Sequence, residues 1–427
     1  MAWLIYTVIT LGSATLWGLI SGWLLYFYLP PGEQPLVPIA FYSIVILASK
    51  AVNILLGLPI GYLSDHTRSS WGRRLPYIIG GGIFLPILFF FLWTPPSTVE
   101  SNWNLLYLAA VLIAFSAAYE IHQIPYDSLL PELAVGEKER VTISTWKTGF
   151  LLGGNILSGF AGPLIARLGF APTMGIFAAI TAPIIMLPGF FLRTRIQHAA
   201  QPREKISFLE GLKTTFANRP FQTFTLSWGL MWTASTFILG TIPFIVTEIC
   251  RLDKSDTVYF YLSAIASTLL VFPFITQLST RYGMKTIYRG SLLAGAICLP
   301  GLLLIGDWIP LPLFAQGIIW IVLQSVSLAG GQILPSAMAA EITDNDEILT
   351  GQRREGSFYS VWGLLNQVSS GLAAGLIPLF LLLGRSKLEP QGPLGVRLLG
   401  LAGGVLLLAS FWIFRQYKLE SITKSHG

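Results

Sequence analysis

Twelve long apolar runs, separated by short polar connections, make up almost the whole chain. They fall at about residues 4–29, 37–63, 75–94, 104–126, 143–166, 171–193, 221–247, 257–279, 286–306, 310–336, 356–383 and 394–415. A helix needs roughly 20 mostly apolar residues to cross the hydrocarbon core. Backbone amides cannot go unpaired in lipid, so the runs predict an all-α membrane protein of twelve transmembrane helices. Gly and Pro interrupt several runs, and Pro59, Pro125, Pro183, Pro243, Pro273 and Pro335 are expected to kink their helices. The first run, from Trp3 to Leu29, lacks a basic leader and is too long for a secretory h-region, so it is read as a retained span.

Composition agrees with this pattern: 53% of residues are hydrophobic and 11% charged, against about 25% charged in a soluble domain. The net charge of +6 does not signal nucleic acid, because the basic residues cluster in the connections. Twelve spans put both termini on one side. With that side taken as cytoplasmic, nineteen of the 27 Lys and Arg lie inside, six lie outside, and Lys50 and Lys147 lie within spans. The positive-inside rule favours this orientation, in an inner or plasma membrane.

The longest polar connection divides the chain into a six-span bundle (1–195), a linker (196–220) and a second six-span bundle with a short tail (221–427). Phe208–Phe216 in the linker reads as a short helix lying on the membrane surface. The halves echo each other. Gly61–Arg74, after span two, and Gln277–Lys285, after span eight, each place an Arg and a Gly–basic pair between two spans. Paired bundles of this kind imply a solute site near the midplane.

No nucleotide-binding glycine motif, nucleophile elbow or metal-ligand cluster occurs, so neither an enzyme nor a cofactor is expected. Cys250 and Cys298 signal no disulfide, and His66, His122, His198 and His426 are scattered. Any transport would run on gradients. The expected partners are a small-molecule solute and the lipid bilayer, for a chain acting as a monomer.

Ionisable residues inside spans are costly and are candidates for function. Lys50 in span two, Glu120 in span four and Lys147 in span five stand out, with Asp127 nearer the inner surface. One carboxylate facing two ammonium groups can exchange partners with a solute or a proton; the alternative is a structural charge cluster tying three helices. Asn53, Gln123, Asn366 and Gln367 can bond a polyol or serve as interhelical glue. Trp17, Tyr26, Tyr119, Trp146, Trp232, Tyr359 and Trp362 can face a sugar ring or belong to interfacial belts. Among these, Tyr119 and Trp146 are preferred for adjacency to Glu120 and Lys147.

At the inner helix ends, Asp65 stands among Arg68, Arg73 and Arg74; Glu132, Arg140, Glu341, Asp344, Asp346, Arg353, Arg354 and Glu355 stand at others. These read as state-dependent latches, or as charges that fix topology and cap helices.

Three stretches carry a family resemblance: Gly61–Tyr77; Ile124–Glu132 with Glu139–Arg140; and Ala339–Asp346 with Thr350–Gly356. They resemble the major facilitator superfamily, and within it the glycoside–pentoside–hexuronide:cation symporters. The resemblance implies two pseudo-symmetric bundles moving a sugar or glycoside by alternating access. It places Lys50 and Lys147 where the family carries arginine. The family's acidic cation positions read Asn53, Gly57 and Gln123 here, another acidic position reads Ala14, and a lysine position reads Gln367. That departure implies protons, rather than sodium, as the coupling ion, or a facilitator. A lysolipid carrier of the same fold, or a non-transporting sensor or assembly protein, are the alternatives.

Overall fold

The computed structural model describes residues 2–129, 137–192, 215, 217–351, 355–383 and 393–418, and among them the regular structure is entirely helical. In chain order the helices are α1 (Leu4–Tyr28), α2 (Ile39–His66), α3 (Leu75–Phe91), α4 (Asn102–Asp127), α5 (Thr142–Leu168) and α6 (Phe170–Leu192). The second half follows with α7 (Arg219–Leu239 and Ile242–Ile249), α8 (Thr257–Tyr282), α9 (Met284–Leu304), α10 (Leu313–Thr350), α11 (Glu355–Leu381) and α12 (Leu394–Phe414). Among the described residues nine stretches are long and apolar enough to span a membrane, and the two arms of α7 pass together across a 44° bend. The remaining two apolar helices, Leu75–Phe91 and Phe170–Met186, are shorter. The twelve predicted runs are all helical, but a count of twelve spans requires these two short helices.

Proline acts less uniformly than expected. α2, α4 and α8 continue through Pro59, Pro125 and Pro273, and α6 continues through Pro183. The break in α7 falls at Gly240–Thr241, and Pro243 sits in the first turn after it. There its missing N–H removes no helical bond. Pro335 likewise opens the second arm of α10. The acidic residues expected at an inner helix end lie along that arm, Pro335–Thr350, which Gly351 ends at φ 70°. The predicted connection after span eight also shrinks to one residue, Gly283, at φ 82°. Of the expected surface helix Phe208–Phe216, only residue 215 is described.

Contacts gather the chain into two compact units: 1–202 with 240–262 and 374–392, and 203–239 with 263–373 and 393–427. Within the first, α1 packs on α5 and α6, α2 on α4, and α3 on α4 and α6. Within the second, α7 packs on α12, and α9 on α10 and α12. The pairings α1–α6, α3–α4 and α3–α6 therefore recur as α7–α12, α9–α10 and α9–α12, the signature of a repeated bundle. Small residues permit the close crossings. A Cβ on Gly154 of α5 would lie 2.7 Å from the Leu11 carbonyl oxygen of α1, and one on Gly81 of α3 would lie 2.7 Å from that of Ala118 on α4. In the second unit, a Cβ on Gly400 of α12 would lie 2.8 Å from the Leu299 carbonyl oxygen of α9.

Candidate functional site

Helical spacing assembles the site on α4. Glu120, Gln123 and Asp127 stand at i, i+3 and i+7, which places them along one face. Glu120 is 6% exposed, and its Oε1 has no hydrogen-bond partner among the described residues. Lys50 of α2 is near enough for the two charges to interact, without a direct ion pair. Its ammonium lies 4.2 Å from the centroid of the Trp17 ring on α1. Trp17 stacks on Tyr119 at 5.3 Å and on Phe115 at 6.2 Å. Lys50 is thus held by an aromatic face and a buried carboxylate.

Lys147 is placed differently from expectation. Its ammonium pairs with Asp127, not with Glu120, so a single carboxylate between two lysines is corrected to two separate stations on α4. The pair is partly open, with side chains 26% and 48% exposed. Gln123 Nε2 donates to the other Asp127 oxygen at 2.9 Å, which helps fix the carboxylate. Lys147 also lies 4.8 Å from the Tyr126 ring and 5.8 Å from the Tyr6 ring. The two tyrosines lock together. Tyr6 Oη donates to the Tyr126 carbonyl at 3.2 Å, Tyr126 Oη donates to the Tyr6 carbonyl at 3.0 Å, and Tyr126 Oη is 2.7 Å from Thr10 Oγ1. Trp146 points elsewhere, is 46% exposed, and packs on Phe150. Consecutive helical residues diverge by about 100°, so adjacency in sequence does not bring Trp146 to the face that carries Lys147.

Asn53 and Gln123 join Glu120 in a further property. Asn53 Oδ1 and Gln123 Oε1 are buried acceptors with no partner among the described residues. A buried, unbonded acceptor is costly, and a hydroxyl donor relieves it. Around this face lie one carboxylate acceptor, two amide acceptors, an ammonium donor and a flat indole. No three His, Cys, Asp or Glu side chains among the described residues form a metal-binding group.

The second unit contributes its own aromatic cluster. Trp228 stacks on Trp232 at 5.4 Å, and Trp362 of α11 meets Trp228 edge-on at 5.1 Å. Trp232 Nε1 donates to Ser370 Oγ at 2.9 Å, which donates to Asn366 Oδ1 at 3.3 Å. Gln367 is half-buried beside Asn366.

The proposed latch residues scatter. Arg74 is buried and donates to the Ser128 carbonyl, tying α3 to the end of α4. Arg68 is exposed and Arg73 half-buried. Glu341 borders a cleft of about 530 Å³ with Ser279, Thr280, Lys285 and Tyr417. Asp346 is buried and accepts from Asn218 Nδ2 at 3.1 Å. Glu132, Arg353 and Arg354 lie outside the described residues, as do the side chains of Asp65, Arg140, Glu355 and Tyr359. Sequence reasoning underrated Asp127 and missed Tyr6 and Tyr126; the signal for Asp127 was its seven-residue offset from Glu120.

Sequence and fold comparisons converge. An uncharacterised symporter of Synechocystis sp. is 24% identical over 80% of this chain and 78% of its own length. The raffinose carrier protein of Pediococcus pentosaceus is 23% identical over 88% of this chain and 61% of its own. Among solved structures, the nucleoside transporter NupG superposes with a TM-score of 0.71 over 98% of this chain and 100% of its own, at 15% identity. That likeness establishes the major facilitator fold. The chain is an integral membrane protein and a secondary transporter, not an enzyme. Residues 5–421 match the family described as MFS/sugar transport protein, and the chain belongs to that family.

Proposed function

We propose that the chain carries a sugar or glycoside by alternating access, coupled to protons through Glu120, with both termini cytoplasmic and the monomer as the working unit. The observation that carries this reading is a set of buried acceptors without a partner among the described residues, Glu120 and Gln123 on α4 and Asn53 on the neighbouring α2. A polyol supplies the hydroxyl donors that these acceptors lack, and Trp17 offers the kind of flat face that sugar rings pack against. The family description and the raffinose carrier support the same solute class.

A proton suits this site better than sodium. A hard cation seeks several oxygen ligands and negative charge, whereas here a lysine faces the one fully buried carboxylate of the α4 face. Protonating Glu120 removes the attraction on Lys50 and frees it for the solute. No cofactor enters this scheme.

The test is uptake into proteoliposomes of labelled raffinose, melibiose and simple glycosides, each with an imposed pH gradient, a sodium gradient or neither. Saturable uptake raised by an inward proton gradient is expected. Uptake driven by sodium alone would overturn the coupling. Transport of a lysophospholipid and of no sugar would overturn the solute class.

A further inference from the structure

The side of the membrane opposite the basic connections carries a set of contacts that the solute site does not use. All lie within the first compact unit, where residues 242–261 meet the tips of α1, α5 and α6. Three glycines form notches. A Cβ on Gly22 of α1 would stand 2.4 Å from Tyr261 Oη, and one on Gly159 of α5 would stand 3.1 Å from Tyr261 Cβ. A Cβ on Gly162 would stand 2.0 Å from Thr257 Oγ1 and 2.4 Å from the Lys254 carbonyl oxygen. The last contact is to backbone and cannot be relieved by turning a side chain.

Other contacts in the same place are weak or unsatisfied. The Tyr261 hydroxyl is buried in its notch with no hydrogen-bond partner among the described residues. The Lys254 ammonium rests on two rings, 5.4 Å from Tyr26 and 5.8 Å from Phe170. Tyr26 Oη reaches Thr247 Oγ1 at 3.4 Å, the long end of a hydrogen bond, and its ring lies 5.0 Å from Phe244. A permanent joint would bury satisfied polar groups and larger apolar faces. Notches without side chains, a cation on aromatic faces and an orphan hydroxyl make a joint that closes tightly yet opens at low cost.

We propose that Tyr261 seated against Gly22 and Gly159, with Lys254 lying on Tyr26 and Phe170, forms a reversible seal that closes the outer side of the transporter and must part for solute to enter. Gly162 sets how closely the seal shuts. The proposal rests on the alternating-access reading above, and assigns the residues that hold one of its two states.

Cys250 provides a native reporter, because it lies within the docked segment and is 1% exposed. The experiment uses the full chain carrying Cys298→Ser, in vesicles of known orientation. It measures the rate at which a membrane-impermeant maleimide labels Cys250 from outside. Gly162→Ala and Lys254→Gln shift the population toward the open state and are expected to raise that rate about tenfold. Tyr261→Phe removes the unsatisfied hydroxyl, favours closure and should slow labelling about threefold. This opposite sign separates a gate from a general packing defect. Should Gly162→Ala fail to fold, Lys254→Gln and Tyr261→Phe still decide the matter. Unchanged labelling in folded Lys254→Gln and Tyr261→Phe, or acceleration in both, would overturn the seal. Solute counterflow by the unmutated protein, measured in parallel, tests the transport reading by itself, since the labelling rates need no solute.

Discussion

Replacing Lys50 by Met tests whether Lys50 and Glu120 act as one unit. The change keeps the stem and removes the charge, so Glu120 remains 6% exposed with no cation beside it. Stranding one member of a fully buried pair costs about 3–5 kcal/mol. Lys50 is only half-buried and makes no direct ion pair, so the cost here is smaller, about 2 kcal/mol. Glu120→Gln alone should cost far less. It removes the buried charge, and Lys50 keeps its place on Trp17, an interaction worth about 1 kcal/mol. The double variant Lys50→Met/Glu120→Gln strands no charge and should recover to within about 1 kcal/mol of the parent.

The assay is thermal unfolding in one detergent at one scan rate, with the four proteins compared side by side. Lys50→Met should melt several degrees below the others. Transport adds a second axis. Glu120→Gln should lose accumulation driven by a pH gradient and retain solute exchange, whereas the double variant, which also lacks the Lys50 ammonium, should lose both. If the double variant melts at the sum of the two single effects, the groups are independent and the proposed coupling device is wrong.

Asp127→Asn should cost less than about 1 kcal/mol, because the Lys147 pair is partly exposed, yet slow uptake several-fold; unchanged uptake would demote the pair to a topological anchor. Trp17→Ala should raise the KM for solute by about tenfold, the loss expected when a stacked ring is removed, while Trp146→Ala leaves it unchanged. Arg397 donates to the carbonyls of Leu302, Leu303 and Ile305 at the end of α9, so Arg397→Gln should destabilise by about 2 kcal/mol in the melting assay with no change in KM. Gly154→Val should prevent folding, read as aggregation on size exclusion, because α1 backbone lies against it. Gly149→Ala should be silent in the same assay, having nothing within 4 Å of its new Cβ.

The helices were legible because lipid imposes so few solutions: each of the twelve apolar runs lies on a helix. Their ends were less so. Apolarity stops where water begins, but the helix does not, and Pro335–Thr350 continues with Glu341, Asp344, Asp346 and Glu347 on it. Hydropathy sees only the first arm of α10. In α7 the reverse holds, since the apolar run passes unbroken over Gly240–Thr241 while the helix bends by 44°. Glycine followed by a β-branched threonine weakens the helix there without changing its affinity for lipid.

The chemistry was legible by residue type and not by pairing. That Lys50, Glu120 and Lys147 sit in apolar runs marks each as costly; which carboxylate meets which lysine depends on how α2 and α5 cross α4, and one sequence carries no record of that. The seven-residue step from Glu120 to Asp127 resolves the geometry once α4 is known to be continuous. Two turns separate the carboxylates by about 10.5 Å along one face, with Gln123 bonded to the lower one. α4 therefore presents two stations, a closed one against α2 and an open one against α5. A solute that binds its hydroxyls to Asn53, Glu120 and Gln123 touches the first station directly and reaches the second through the Gln123 amide. Any shift of Gln123 toward the solute loosens its hold on Asp127, and with it the tie between α4 and α5. By that route the proposed solute site would be coupled to the Asp127–Lys147 pair, one turn along α4 from Gln123.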